Sequence, residues 1–221
     1  MNRRAVTLAA GVVAVLAALA PPLDAAAERR LSAHMVQHLL LVLVAAPLLA
    51  ASRPPLDRRW PLAQRVAGHP LVVLGLSVGG FWMWHLPRLY EAALSNLAVH
   101  VLEHGTFLVG ALLFWSVVFD PGPRRRLGVG WTCGLVFGAM VVNIWLAAGL
   151  TFSNHPLYST YAAGGAAALS DQQLAGVIMW LPADVVYFVT LIGLVRRQLA
   201  ELDLRMRPRE PARAEAQGGG R

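Results

Sequence analysis

The 221-residue chain has no lysine, one cysteine and few charges of either sign. Charged residues make up 14% of it, against about 25% in an ordinary soluble domain. The single Cys133 excludes an internal disulfide and any CxxC pair. It falls inside an apolar run and reads as a small buried residue. With lysine absent, arginine carries every fixed positive charge, which reads as genome base composition rather than function. The net charge of +7 does not describe a nucleic-acid surface, because the arginines lie between apolar runs and near the C-terminus, not in one patch. Also missing are a glycine-rich phosphate loop, an HExxH zinc motif and a Ser-His-Asp order in a soluble context. The adjacent histidine pairs of membrane desaturases are absent too, as is the inverted repeat with interrupted helices of a transporter.

What the chain has is apolar length. Apolar residues fill 57% of it, and the mean hydropathy is +0.53. A membrane helix takes about 20 mostly apolar residues. Six runs qualify or nearly qualify: 5–20, 31–51, 70–86, 97–119, 127–150 and 173–195. Pro21-Pro22, Pro54-Pro55, Pro87, Pro121-Gly122-Pro123 and Asn154-His155-Pro156 separate them. The runs exceed the about 9–11 residues of a barrel strand and do not alternate. The expected fold is therefore all-α, a polytopic integral membrane helix bundle of about six spans. Residues 1–200 read as one transmembrane domain. Residues 201–221, rich in Arg, Pro, Ala and Gly, read as a flexible cytoplasmic tail that can touch anionic lipid.

Arginine counting orients the bundle. With the N-terminus inside, sixteen of the nineteen arginines fall on cytoplasmic segments, and Arg29, Arg30 and Arg88 fall outside. The positive-inside rule then gives N-in and C-in. Residues 1–27 also fit a signal peptide, with Asn2-Arg3-Arg4, an apolar run and Ala25-Ala26-Ala27. A retained helix is the reading carried forward; either one leaves residue 28 outside.

In this topology six of the seven histidines lie at the outer end, and only His69 lies inside. His34 and His38 open the second run, and His100 and His104 open the fourth. His85 ends the third, and His155 precedes the sixth. Residues four apart share a helix face, so the two HxxxH pairs can converge on one ion. Neutral imidazole suits copper, zinc, iron and nickel; a thioether favours Cu(I), and Met179 lies at a matching depth. Glu103, Asp171 and Gln37 are placed to hydrogen-bond the rings and orient them. A lone histidine near a helix end reads instead as an interfacial residue, and the tryptophans and tyrosines read as an interfacial belt. Asp184, after Pro182, reads as a hydrogen-bonded group at a proline kink. Two other chemistries stay open. One is a b-type haem held by one histidine from each helix. The other is a His-ligated membrane metalloenzyme with Glu103 as its base.

The segments SAHMVQHLLLVLVAAPLL, FWMWHLPRLYEAAL, VHVLEHGTFLVGALLFW and LSDQQLAGVIMWLP, in this order, resemble the polytopic CtaG-type family of cytochrome c oxidase assembly proteins. The resemblance covers about residues 10–195. The matching positions are His34, Met35, His38, His85, His100, Glu103, His104, Asp171, Gln172 and Met179. Asp184 stands where the pattern has a small residue. The resemblance implies a non-enzymatic assembly factor in a bacterial plasma membrane, with a haem-copper oxidase catalytic subunit as partner and copper as the metal supplied. The single-span copper chaperone that sometimes shares the name uses paired cysteines, which this chain lacks. The expected metal-ligating residues are His34, His38, His85, His100, His104 and Met179, with Glu103, Asp171 and Gln172 supporting them.

The topology is open to direct measurement. In a background without Cys133, Ser153→Cys is expected to react with an impermeant maleimide in intact cells, and a cysteine beside Arg124 is expected to be protected. The opposite pattern would move the histidines to the cytoplasmic side.

Overall fold

Proline placement and apolar length set the helices. The computed structural model describes residues 2–52, 61–120 and 128–206, and among these no strand occurs. Ten helices follow in chain order: α1 (Arg3–Ala18), α2 (Pro21–Ala27), α3 (Leu31–Ser52), α4 (Pro61–Ala67), α5 (Pro70–Trp84), α6 (Pro87–Ser95), α7 (Leu97–Val118), α8 (Val129–Thr151), α9 (Ser159–Ala162) and α10 (Ala166–Met206). Four of them, α3, α7, α8 and α10, are long and apolar enough to cross a membrane. The count rises to six if the pairs α1–α2 and α5–α6, bent by 47° and 73°, each make one span. Both bends fall where proline occupies the first turn of the second helix, a position that tolerates its missing amide.

The ordering of helices around the bundle follows from their contacts. Helix α3 packs on α7, α7 on α5, α5 on α8 and α8 on α10, and α10 returns to α3. Helix α1 lies against the outside of α3. Small residues permit the closest approaches. A Cβ on Gly176 of α10 would overlap Thr151 and the Ala147 carbonyl of α8, and one on Gly11 of α1 would fall 2.8 Å from Leu49. Where water cannot satisfy backbone groups and lipid is as apolar as leucine, such contacts are a main source of association.

Two stretches are wound as π-helix, Leu40–Ala45 in α3 and Gly75–Gly79 in α5. Backbone pairing in α3 is incomplete at one point, because Pro47 has no N–H to offer the Val42 carbonyl. Trp115 of α7 donates from Nε1 to the Val42 carbonyl at 2.8 Å. Gly110 of α7 lies against the backbone of Leu76 and Ser77. Both π-turns therefore face α7.

At the end where α3 and α7 begin, the connection from α8 to α10 is laced to the helices beneath it. Tyr158 donates to the His85 carbonyl at 3.0 Å and Tyr161 to the Ala27 carbonyl at 2.8 Å. Ser159 donates from its amide and hydroxyl to Glu91, at 2.7 and 2.6 Å. Gly165, at φ +55°, supplies the left-handed turn from α9 into α10.

Several expectations are corrected. The last span is not confined to 173–195: α10 runs 41 residues without a break, about 60 Å, or twice a bilayer core. It continues through Met206, so the first six residues of the expected tail are helical; 207–221 lie outside the described residues, as do Arg53, Arg58, Arg59 and Arg124 to Arg126. The aromatic belt is also only partial. Trp82 and Trp145 are exposed, but Trp84, Trp115, Tyr90 and Tyr158 are buried within the bundle. Tyr90, Tyr158 and Tyr161 stack over the histidine end. Asp184 agrees with its expectation as a hydrogen-bonded group near Pro182, accepting from the indole Nε1 of Trp180 at 2.6 Å.

The α8–α10 crossing can be tested. Gly176→Val is expected to lower stability by about 1–3 kcal/mol through overpacking, seen as an earlier thermal transition in detergent. Gly193→Val, where nothing approaches the added Cβ, is expected to change it much less.

Candidate functional site

Helix start signals bring the histidines together. Asn96 caps α7, its side chain accepting from the amides of Ala98 and Val99, and this places His100 one turn into the helix. Asp171 of α10 accepts from the amide and hydroxyl of Ser32, which holds the first turn of α3 two residues before His34. The two inward faces then meet. Ring centroids are 4.3 Å apart for His34 and His38 and 4.3 Å for His100 and His104. Across the helices, His34 lies 5.4 Å from His100 and 6.1 Å from His104, and His38 lies 5.3 Å from His104.

Glu103 sits between the pairs. Its Oε2 is 3.7 Å from His34 Nε2, its Oε1 is 3.8 Å from His38 Nε2, and all three side chains are 0% exposed. His34, His100, Glu103 and His104 each offer one ligand atom, and these atoms lie within 4.8 Å of one another. That is near the about 4 Å between opposite donors held about 2.0–2.2 Å from a single ion. His38 flanks this group, and His85 stands behind it, 6.1 Å from His38. His85 Nδ1 is 2.8 Å from the Phe81 carbonyl, so Nδ1 carries the proton and Nε2 keeps the lone pair. Phe107 and Phe81 pack against His38 and Tyr90 against His34, so the walls are aromatic.

This arrangement fits a cation. Among the described residues, neither nitrogen of His34 or His38, neither oxygen of Glu103, and neither His100 Nε2 nor His104 Nε2 has a hydrogen-bond partner, and all are buried. Unsatisfied buried polar atoms cost about 1–3 kcal/mol each, more when charged. Neutral imidazoles cannot neutralise the carboxylate, whereas an ion shared by these atoms would satisfy them together.

The remaining sequence-predicted residues fall elsewhere. Met179 is fully buried in the apolar cluster with Met35, Trp84 and Tyr90, and its carbonyl accepts from Asn143 at 3.2 Å. Gln172 holds the loop, accepting from the Leu157 amide and donating to the His155 carbonyl. Asp171 and Gln172 therefore brace the backbone around the site rather than orient an imidazole. Gln37, also expected to orient the rings, donates instead to Asp24 of α2 at 3.1 Å. Asp24 is the residue that sequence reasoning missed. Its signal was a lone acid inside the apolar stretch that follows Pro21-Pro22.

A search of curated proteins and a search of solved structures return no match. The sequence pattern of one family, described as cytochrome c oxidase caa3 assembly factor, matches residues 1–201. That match takes in all the helices bearing the histidine cluster and most of the chain, and the protein therefore belongs to the cytochrome c oxidase caa3 assembly factor family.

Proposed function

We propose that this protein is a non-enzymatic assembly factor of a bacterial plasma membrane that captures copper at the outer side and relays it to the catalytic subunit of a haem-copper oxidase. The observation that carries this reading is the group of His34, half-buried His100 and His104 around Glu103, in which both nitrogens of His34, both oxygens of Glu103 and the Nε2 atoms of His100 and His104 are buried without a hydrogen-bond partner. His38 and His85 extend the layer of nitrogen donors. Imidazole with a carboxylate suits several divalent ions; membership of an oxidase assembly family supports copper among them. The outer location rests on the arginine distribution, since the cluster lies at the helix ends remote from most arginines.

Relay requires ligands that can be exchanged in turn. The donors are spread over α3, α7 and the end of α5, so a modest shift of one helix changes the ligand set without unfolding the site. The alternatives find less support. A haem needs a slot between its axial imidazoles, and here the Glu103 carboxylate stands beside His34 and His38 in that space. For a metalloenzyme, Glu103 is itself among the ligand atoms and so is not free to act as a base.

Two outcomes test the reading. Purified protein is expected to bind about one copper ion per chain, and His34→Ala or His104→Ala to weaken binding at least tenfold. His69→Ala, at the far end of α5, is expected to leave it unchanged; equal effects from all three would identify ordinary buried histidines. In cells, deletion of the protein is expected to lower the copper-to-haem ratio of the purified oxidase while its subunits are still made and inserted. Replacing His34, His38, His100 and His104 together should reproduce that loss with the protein still in the membrane. A normal ratio with reduced activity would point to subunit folding or haem handling instead.

A further inference from the structure

The short helix α2 brings an acid to the end of the bundle where the histidines lie. Asp24 follows Pro21-Pro22 and sits half-buried among alanines. Its hydrogen bond is with Gln37 Nε2, and no arginine pairs with it among the described residues. Gln37 is fully buried and lies on α3 between His34 and His38. Through Gln37 the Asp24 carboxylate is tied to the stretch of α3 that carries His34 and His38.

Exposure falls in steps from this rim. Asp24 and His100 are half-buried, His104 is 8% exposed, and His34 and Glu103 are 0% exposed. The deeper side is closed by Phe81, Phe107 and Tyr90, and the loop carrying Tyr158 and Tyr161 covers the top. Within the group His100 is therefore the most accessible member, and Asp24 is an accessible carboxylate tied to α3 through Gln37.

We propose that Asp24 is the access carboxylate of the cluster: it draws a hydrated divalent cation to the rim and passes it by way of His100 to the buried ligands His34, Glu103 and His104. The proposal rests on the metal-binding reading above. An unpaired negative charge at a low-dielectric mouth raises the local cation concentration and the rate of capture by about 10–1,000-fold. Gln37 has a matching part. It fixes the carboxylate at the rim, so Asp24 does not swing in to become a permanent ligand. The competing reading is that Asp24 only stabilises the first turn of α2 by facing its N-terminus, which predicts an effect on stability and none on loading.

Asp24→Asn separates these readings, because the amide oxygen still accepts from Gln37 while the charge is gone. Full-length protein in detergent is mixed with Cu(II) under low salt, and loading is followed by quenching of tryptophan fluorescence in a stopped-flow instrument. Stoichiometry is read separately by metal analysis. The expected result is one ion per chain in both proteins, loading about tenfold slower in Asp24→Asn, and a gap that narrows at high salt. Glu28→Gln, which removes an exposed acid at the same end, is expected to load at the wild-type rate. If Asp24→Asn does not accumulate, Asp24→Ser reads the same quantity. Equal loading rates at low salt would overturn the proposal, as would complete loss of the ion in Asp24→Asn, which would make Asp24 a ligand. Failure of the wild-type protein to bind the ion at all would instead remove the metal-binding reading beneath it.

Discussion

A carboxylate sealed among imidazoles inside a membrane-type helix bundle is the constraint on which the rest of the architecture turns. Glu103 is fully buried, more than a turn into α7, beside His34 and His38 of the neighbouring helix. Water cannot solvate it there, and neither of its oxygens has a hydrogen-bond partner among the described residues. Such a group is tolerated when it is protonated or shares a cation, and either state needs its neighbours held in place. Each surrounding device serves that placement. Asn96 caps α7, Asp171 anchors the first turn of α3, and the Phe81 carbonyl fixes the proton on His85.

The same requirement accounts for irregularities elsewhere. A straight α5 would not deliver His85 to the cluster and also send α6 across the top. The bend at Leu86-Pro87 does both, and Tyr158 then bonds the His85 carbonyl at that break. The π-turns in α3 and α5 lie one to three turns below the histidines, and Trp115 satisfies a carbonyl there. Helix α10 crosses tightly on α8 through Gly176 and touches the N-terminal part of α3, so it braces the cluster from outside the His34, His100, Glu103 and His104 group. Site geometry and helix packing are thus set by the same few contacts.

Bulk apolarity and proline position are local properties, and they made the spans legible. Five of the six sequence-derived spans agree with the observed helices to within a few residues, and the sixth, at α10, was under-extended at both ends. It was under-extended because hydropathy marks where a helix is apolar, not where it stops; beyond Val195 the polar sequence stays helical through Met206. The four-residue spacing of His34/His38 and His100/His104 was equally legible, because one helix face suffices to define it. Belt-forming aromatics were not. Tyr90 and Trp115 have the composition of interfacial residues, and only the neighbours that enclose them make them interior.

By itself the sequence determined an all-helical chain with membrane-length apolar runs, paired histidines at the starts of two of them and a family pattern over 1–201. These follow from periodicity and composition, which need no knowledge of distant contacts. Only the tertiary structure decided that Glu103 stands between the pairs, that Met179 belongs to the apolar packing cluster, that Asp171 and Gln172 brace loops, and that Asp24 reaches the rim through Gln37. Each of these depends on how one helix is rotated against another. That rotation is set by side-chain packing between segments far apart in the chain, and no local pattern encodes it.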